Sequence, residues 1–151
     1  MIDQVVADIP LPATGGKELS LAAFRGQKVV LYFYPKDSTP GCTTEAQQFR
    51  DLFPDFAKAG CAVLGVSRDS LRSHENFKQK QNLPFDLLSD SEERLCEQFS
   101  VIKEKKLYGK LVRGIERSTF VIDDLGQLRK EWRGVKAPGH AQEILDFVKT
   151  L

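Results

Sequence analysis

The sequence predicts an α/β fold built on a mixed sheet, and three observations carry that expectation. Short apolar or β-branched runs at Val29–Phe33, Ala62–Val66, Phe85–Leu88 and Thr119–Ile122 alternate with stretches of helical periodicity. The run Val29–Phe33 feeds a helix through the loop Tyr34–Gly41, the strand-then-helix order that parallel pairing needs. The turn Asp123-Asp124-Leu125-Gly126 joins Thr119–Ile122 to Leu128–Trp132, so the last two strands are expected to be antiparallel.

In chain order, Val5–Ala13 and Glu18–Leu21, joined through Gly15-Gly16, are expected to form an N-terminal β-hairpin. Val29–Phe33 follows as the central strand. Beyond Cys42, the residues Phe49, Leu52, Phe53 and Phe56 make one buried stripe, leaving Arg50, Asp51 and Lys58 to solvent. Pro54 lacks an N–H and crowds the preceding turn, so it is expected to kink or break that helix. Further helices are predicted over Leu71–Gln81, Glu92–Phe99 and His140–Leu151, the last from the spacing of Ile144, Leu145 and Val148. Lys103-Glu104-Lys105-Lys106 reads as a solvated loop, Trp132 as packing, and His74 and His140 as surface or helix-end residues. A central strand feeding a helix, then an antiparallel hairpin and a terminal helix, is what a thioredoxin-like fold needs. The expected architecture is therefore a central mixed sheet flanked by helices.

With 151 residues, 41% hydrophobic and 28% charged, the chain 1–151 is expected to be a single globular domain. A formal charge of +1 gives no reason to expect nucleic acid or an anionic membrane as partner. The start Met1-Ile2-Asp3-Gln4 has neither a basic nor an apolar leader region, which favours a cytoplasmic location. Cysteines 42, 61 and 96 have no metal-ligand spacing and form no Cys-x-x-Cys, so neither a metal nor a structural disulfide is expected.

The chemistry concentrates in Tyr34-Pro35-Lys36-Asp37-Ser38-Thr39-Pro40-Gly41-Cys42-Thr43-Thr44-Glu45. Cys42 falls where the loop ends and a helix begins, at the carboxyl end of the central strand, and is expected at a site mouth. The unpaired N–H groups and partial positive charge of a first helical turn favour a thiolate. Thr39 offers a hydroxyl that accepts from a substrate oxygen or donates to the thiolate, and the Gly41 and Cys42 N–H groups point into the same pocket. Pro35 and Pro40 stiffen the loop and add no competing donor.

The run Pro35 to Cys42 matches the Pro-x-x-x-Thr-x-x-Cys pattern of peroxiredoxins, and the wider segment resembles the peroxiredoxin Q branch, also called bacterioferritin comigratory protein. The resemblance extends through Leu64-Gly65-Val66-Ser67, Leu87-Leu88-Ser89-Asp90, Tyr108-Gly109-Lys110 and Trp132-Arg133-Gly134-Val135-Lys136-Ala137-Pro138-Gly139-His140. It implies a thiol-dependent peroxidase acting on hydrogen peroxide and small organic hydroperoxides, often monomeric, with no metal, haem or other cofactor. It also implies that Arg117 stabilises the thiolate and the developing charge, and that Glu45 lines the pocket.

Ionisation alone does not make such an enzyme. Lowering a cysteine pKa from ~8.5 to about 6 raises the thiolate fraction at pH 7 roughly 30-fold. Nucleophilicity falls with a slope of ~0.4–0.5, so roughly 13-fold is lost and only a few-fold survives. Donors around the leaving oxygen must supply the rest.

One departure from the branch matters. Many members carry a resolving cysteine five residues after the first, where this chain has Gln47, and the helix Leu71–Gln81 contains none. Five helical residues rise about 7.5 Å, beyond the ~7 Å Cα limit of a disulfide, so that pairing would need unwinding in any case. Cys61 reads as a core residue. Cys96 reads as packing, with a resolving role as the alternative. The expectation is one-cysteine behaviour, with an external thiol such as glutathione, glutaredoxin or thioredoxin reducing the Cys42 sulfenic acid. Two further classes stay open: a disulfide oxidoreductase, for which Thr43-Thr44-Glu45 supplies no second sulfur, and a non-catalytic binding module on the same fold.

Overall fold

A computed structural model describes residues 1–151. The strands are β1 (Leu11–Ala13), β2 (Lys17–Leu19), β3 (Lys28–Phe33), β4 (Cys61–Ser67), β5 (Asp86–Ser89), β6 (Ile102–Leu107), β7 (Lys110–Ile115), β8 (Ser118–Ile122) and β9 (Leu128–Arg133). The helices are α1 (Pro40–Lys58), α2 (Leu71–Gln81), α3 (Arg94–Gln98) and α4 (His140–Val148). Seven strands form one sheet in the order β2-β1-β5-β4-β3-β8-β9, and β6 and β7 pair separately. β3, β4 and β5 run parallel, while β8 lies antiparallel to β3, and β9 to β8. The expected central mixed sheet with flanking helices is the fold observed.

The central strand is buried on both faces. Val29, Leu31 and Phe33 point into one core with α3 residues Leu95 and Cys96, while Val30, Tyr32 and the following Tyr34 point into another with α1 and α4. Burial of both faces explains why β3 reads as a continuous apolar run rather than an alternating one. On α1, Cys42, Ala46, Phe49 and Phe56 are buried on the sheet, with Leu52 and Phe53 partly covered.

Three expectations are corrected. Helix α1 continues through Pro54, whose ring lies on the exposed side, while Phe49 and Phe56 before and after it are anchored in the core. The charged run Lys103–Lys106 is not a loop but most of β6, held by six register pairs to β7. The N-terminal hairpin is shorter than expected, and Val5 makes only an isolated bridge to Gln127. No helix is long and apolar enough to cross a membrane.

Candidate active site

The loop from Tyr34 to Thr39 leaves the carboxyl end of β3 and enters α1 with Thr39 as N-cap and Pro40 at the first helical position. The first bond of the helix runs from the Thr43 N–H to the Thr39 carbonyl, 2.9 Å, so the N–H groups of Gly41 and Cys42 precede the intrahelical ladder. Cys42 therefore sits where backbone donors and the helix dipole favour negative charge on sulfur.

Arg117, between β7 and β8, completes this turn. Its Nη2 donates to Cys42 Sγ at 3.4 Å and its Nη1 to Glu45 Oε1 at 2.7 Å. Gly41 makes room for it: a Cβ there would stand 3.1 Å from Nη2. Glu45, one turn after Cys42, is wholly buried, and burial pushes its carboxyl up to about 7 against the pull of Arg117. Burial disfavours the charge on Arg117 too, but Glu45 and Cys42 outweigh it and hold the guanidinium protonated.

Two site expectations are refined by the geometry. Cys42 is only 2% exposed, packed with Ala46 and Phe49 in the core rather than standing at an open mouth, because its helix face lies flat on the sheet. The Thr39 hydroxyl donates to the Lys36 carbonyl at 2.8 Å, which leaves its lone pairs, not its proton, for a ligand. Pro35 is exposed on the loop.

The other two cysteines are elsewhere. Cys61 opens β4, and burial pushes its thiol up to about 12 despite nearby Lys28. Cys96 is fully buried in α3, with its thiol raised by burial and by the Asp90 side chain. It belongs to the core that contains Phe33 and Phe99, on the sheet face opposite the core that contains Cys42.

His140 stands at a helix end, as expected, but neither histidine is a surface residue. His140 begins α4 but is buried, with Nε2 2.8 Å from Thr119 Oγ1. His74 is buried beneath the cysteine loop, with Nδ1 2.7 Å from Asp37 Oδ2 and Nε2 donating to the Leu88 carbonyl at 2.9 Å. Asp37 also accepts from the Tyr34 hydroxyl and, at 2.8 Å, from Ser73 Oγ. The i, i+3 spacing of His74 and Phe77 on α2 was the available signal that His74 faces inward.

A sulfur held in this way suits attack on an acceptor whose leaving atom becomes negative, and the sheet that carries it is thioredoxin-like. The class is that of thiol-dependent redox enzymes. The AhpC/TSA family profile matches residues 2–131, and the chain belongs to that family, as a thiol-dependent peroxidase of the peroxiredoxin Q, or Bcp, branch. It is 55% identical over 142 residues to peroxiredoxin Bcp of Xanthomonas campestris, covering 94% of this chain and 89% of that one. Peroxiredoxin Bcp of Bacillus subtilis is 50% identical over 150 residues, covering 99% and 96%. A mutant PrxQ structure from Xylella fastidiosa superposes with a TM-score of 0.94 at 45% identity, covering 99% of this chain and 96% of that one. The Xanthomonas campestris bacterioferritin comigratory protein, solved to explain its alkyl peroxide reduction, gives 0.91 at 54%, covering 94% and 90%.

Proposed function

We propose that Cys42 is the peroxidatic residue and that this chain works with that one cysteine. The thiolate attacks one oxygen of the peroxide; an S–O bond forms as the O–O bond breaks. Sulfur is oxidised to sulfenic acid, and the peroxide is reduced to water or an alcohol after the departing oxygen takes up a proton. Arg117 and the Gly41 and Cys42 N–H groups stabilise the charge that moves from sulfur to the departing oxygen. Thr39 accepts from the peroxide, Pro35 stiffens the loop, and Glu45 holds Arg117 in place. The observation that carries this reading is Arg117, which joins Cys42 to Glu45.

Hydrogen peroxide and organic hydroperoxides are the substrates we assign, the latter supported by the alkyl peroxide activity of the Xanthomonas relative. An external thiol attacks the sulfenic sulfur and releases water, and a second thiol equivalent frees Cys42 as the reductant becomes a disulfide. Thioredoxin, glutaredoxin and glutathione are the candidate reductants. The opposite-face location of Cys96 supports resolution from outside rather than by Cys96. Three free cysteines suit a reducing cytoplasm. A pocket built from one chain suits a monomer acting as one domain over 1–151.

Stopped-flow oxidation of Cys42 at pH 7 tests the assignment. Cys42→Ser should abolish the reaction, and Thr39→Val and Arg117→Ala should each slow it on the order of 10²-fold. A wild type no faster than a small free thiol would remove the reading.

A further inference from the structure

Behind the cysteine, the peptide bond between Lys36 and Asp37 is held from both ends. Its carbonyl accepts the Thr39 hydroxyl proton at 2.8 Å, and its N–H donates to Asp69 Oδ2 at 2.9 Å. The same Asp69 oxygen accepts from Ser67 Oγ at 2.6 Å, and the Asp69 N–H donates back to Ser67 Oγ at 3.1 Å. The Asp69 carbonyl accepts from Ser89 Oγ at 2.7 Å. Ser67 ends β4 and Ser89 ends β5, so Asp69 is fastened to the sheet and not to the loop it restrains. On the loop side, the Asp37 carboxylate is fixed by Tyr34, Ser73 and His74.

Asp37, Asp69 and His74 bring ligand-type atoms within 4.8 Å of one another. Those atoms are engaged by the protein donors and acceptors just named, which is how a positional lock is built. The lock decides what Thr39 can do. A hydroxyl has one proton and two lone pairs, and the proton is committed to a carbonyl that Asp69 holds still.

We propose that Asp69 is a positioning residue for the peroxide: by fixing the Lys36–Asp37 peptide, it keeps the Thr39 oxygen facing the substrate as an acceptor only. The inference rests on the reading of Thr39 and Cys42 as the peroxide site. The bound peroxide must then supply the hydrogen of that contact. Hydroperoxides have an O–H to offer, and dialkyl peroxides have none, so the lock contributes to substrate selection as well as to rate.

A double-mutant cycle with tert-butyl hydroperoxide tests this, with Cys42 oxidation followed by stopped flow and alkylation by iodoacetamide as the control. Asp69→Ala should slow peroxide oxidation about 10-fold, the scale of one well-placed hydrogen bond to a charged group. Asp69→Asn retains an acceptor oxygen and should lose no more than about 3-fold. In a Thr39→Val background, neither substitution should cost anything further, because the group it acts through is gone. Alkylation breaks no O–O bond and should stay at the wild-type rate in every variant, which a general loosening of the site would not allow. If Asp69→Ala does not fold, Asp69→Leu, which also lacks an acceptor oxygen but keeps the side-chain volume, is taken through the same cycle with the same expected loss. A normal rate for the folded variant that lacks the acceptor beside a slow Thr39→Val, or an equal loss in both backgrounds, overturns the inference alone. A Thr39→Val protein as fast as the wild type overturns the underlying reading of Thr39, and this inference with it.

Discussion

Arg117 divides its charge between two partners, Cys42 Sγ at 3.4 Å and Glu45 Oε1 at 2.7 Å. Below about pH 7 Glu45 is protonated, and the guanidinium charge is felt mainly at sulfur; above it the carboxylate competes. Glu45 also links pH to stability. Its folded value, about 7, is raised above the ordinary 4.5, so the folded state binds the proton more tightly. That contribution is fully present below 4.5 and is lost as pH rises through about 7. Glu45→Gln should flatten the fall in stability across this window, measured by urea unfolding at stepped pH. An unchanged slope would place the dependence on another group. At this scale Cys42, Thr39 and Gly41 were legible because each follows from where a loop meets a helix. The proton on Glu45 was not, since it depends on burial and on an arginine 72 residues away.

Among the elements, β4 shows how tightly the sheet constrains the site. Gly65 pairs in register with Tyr32 on one side and Leu87 on the other. A Cβ at Gly65 would lie 2.9 Å from the Tyr32 hydroxyl and 2.8 Å from Leu87 Cδ2. Tyr32 cannot retreat, because its ring stacks on Phe49 of α1 at 4.7 Å between centroids. Gly65→Ala should therefore destabilise the protein by about 1–3 kcal/mol through overpacking. The measurement is the urea midpoint at constant slope, and an unshifted midpoint would contradict it. Helix α2, with its Ser70 cap and left-handed Asn82 ending, coincides with the predicted Leu71–Gln81 because both stop signals are local. The pair β6–β7 was missed because its side chains face solvent on most positions, so no apolar alternation marks it. Pro54 misled for the complementary reason: local chemistry argues for a break, while burial of Phe49 and Phe56 holds the helix together.

Across the whole molecule, the sheet divides the buried residues into two cores, and this division separates Cys42 from Cys96. The order of the sheet was beyond the sequence, because β1 joins the far edge through one register pair, Ala13 with Leu88, and a bond from the Thr14 N–H to the Leu87 carbonyl. Contacts that long in sequence leave no periodic trace. The helices that follow β3 and β5 set Cys42 and Cys96 on opposite faces, with β3, buried from Val29 to Phe33, between their cores. Bringing the two sulfurs together would require α1 or α3 to leave its face of the sheet, whereas an external thiol requires only a local opening at the first turn of α1, where Cys42 is 2% exposed. One equivalent of peroxide should therefore add about 16 Da, one oxygen, to the intact protein and leave Cys42 reactive with dimedone. The thiol count should fall from three to two, with Cys61 and Cys96 still reduced. Far-UV circular dichroism should barely change, since no segment has to unwind. A loss of about 2 Da with a Cys42–Cys96 peptide pair would mean instead that α1 or α3 leaves its face of the sheet during turnover, and that resolution is internal.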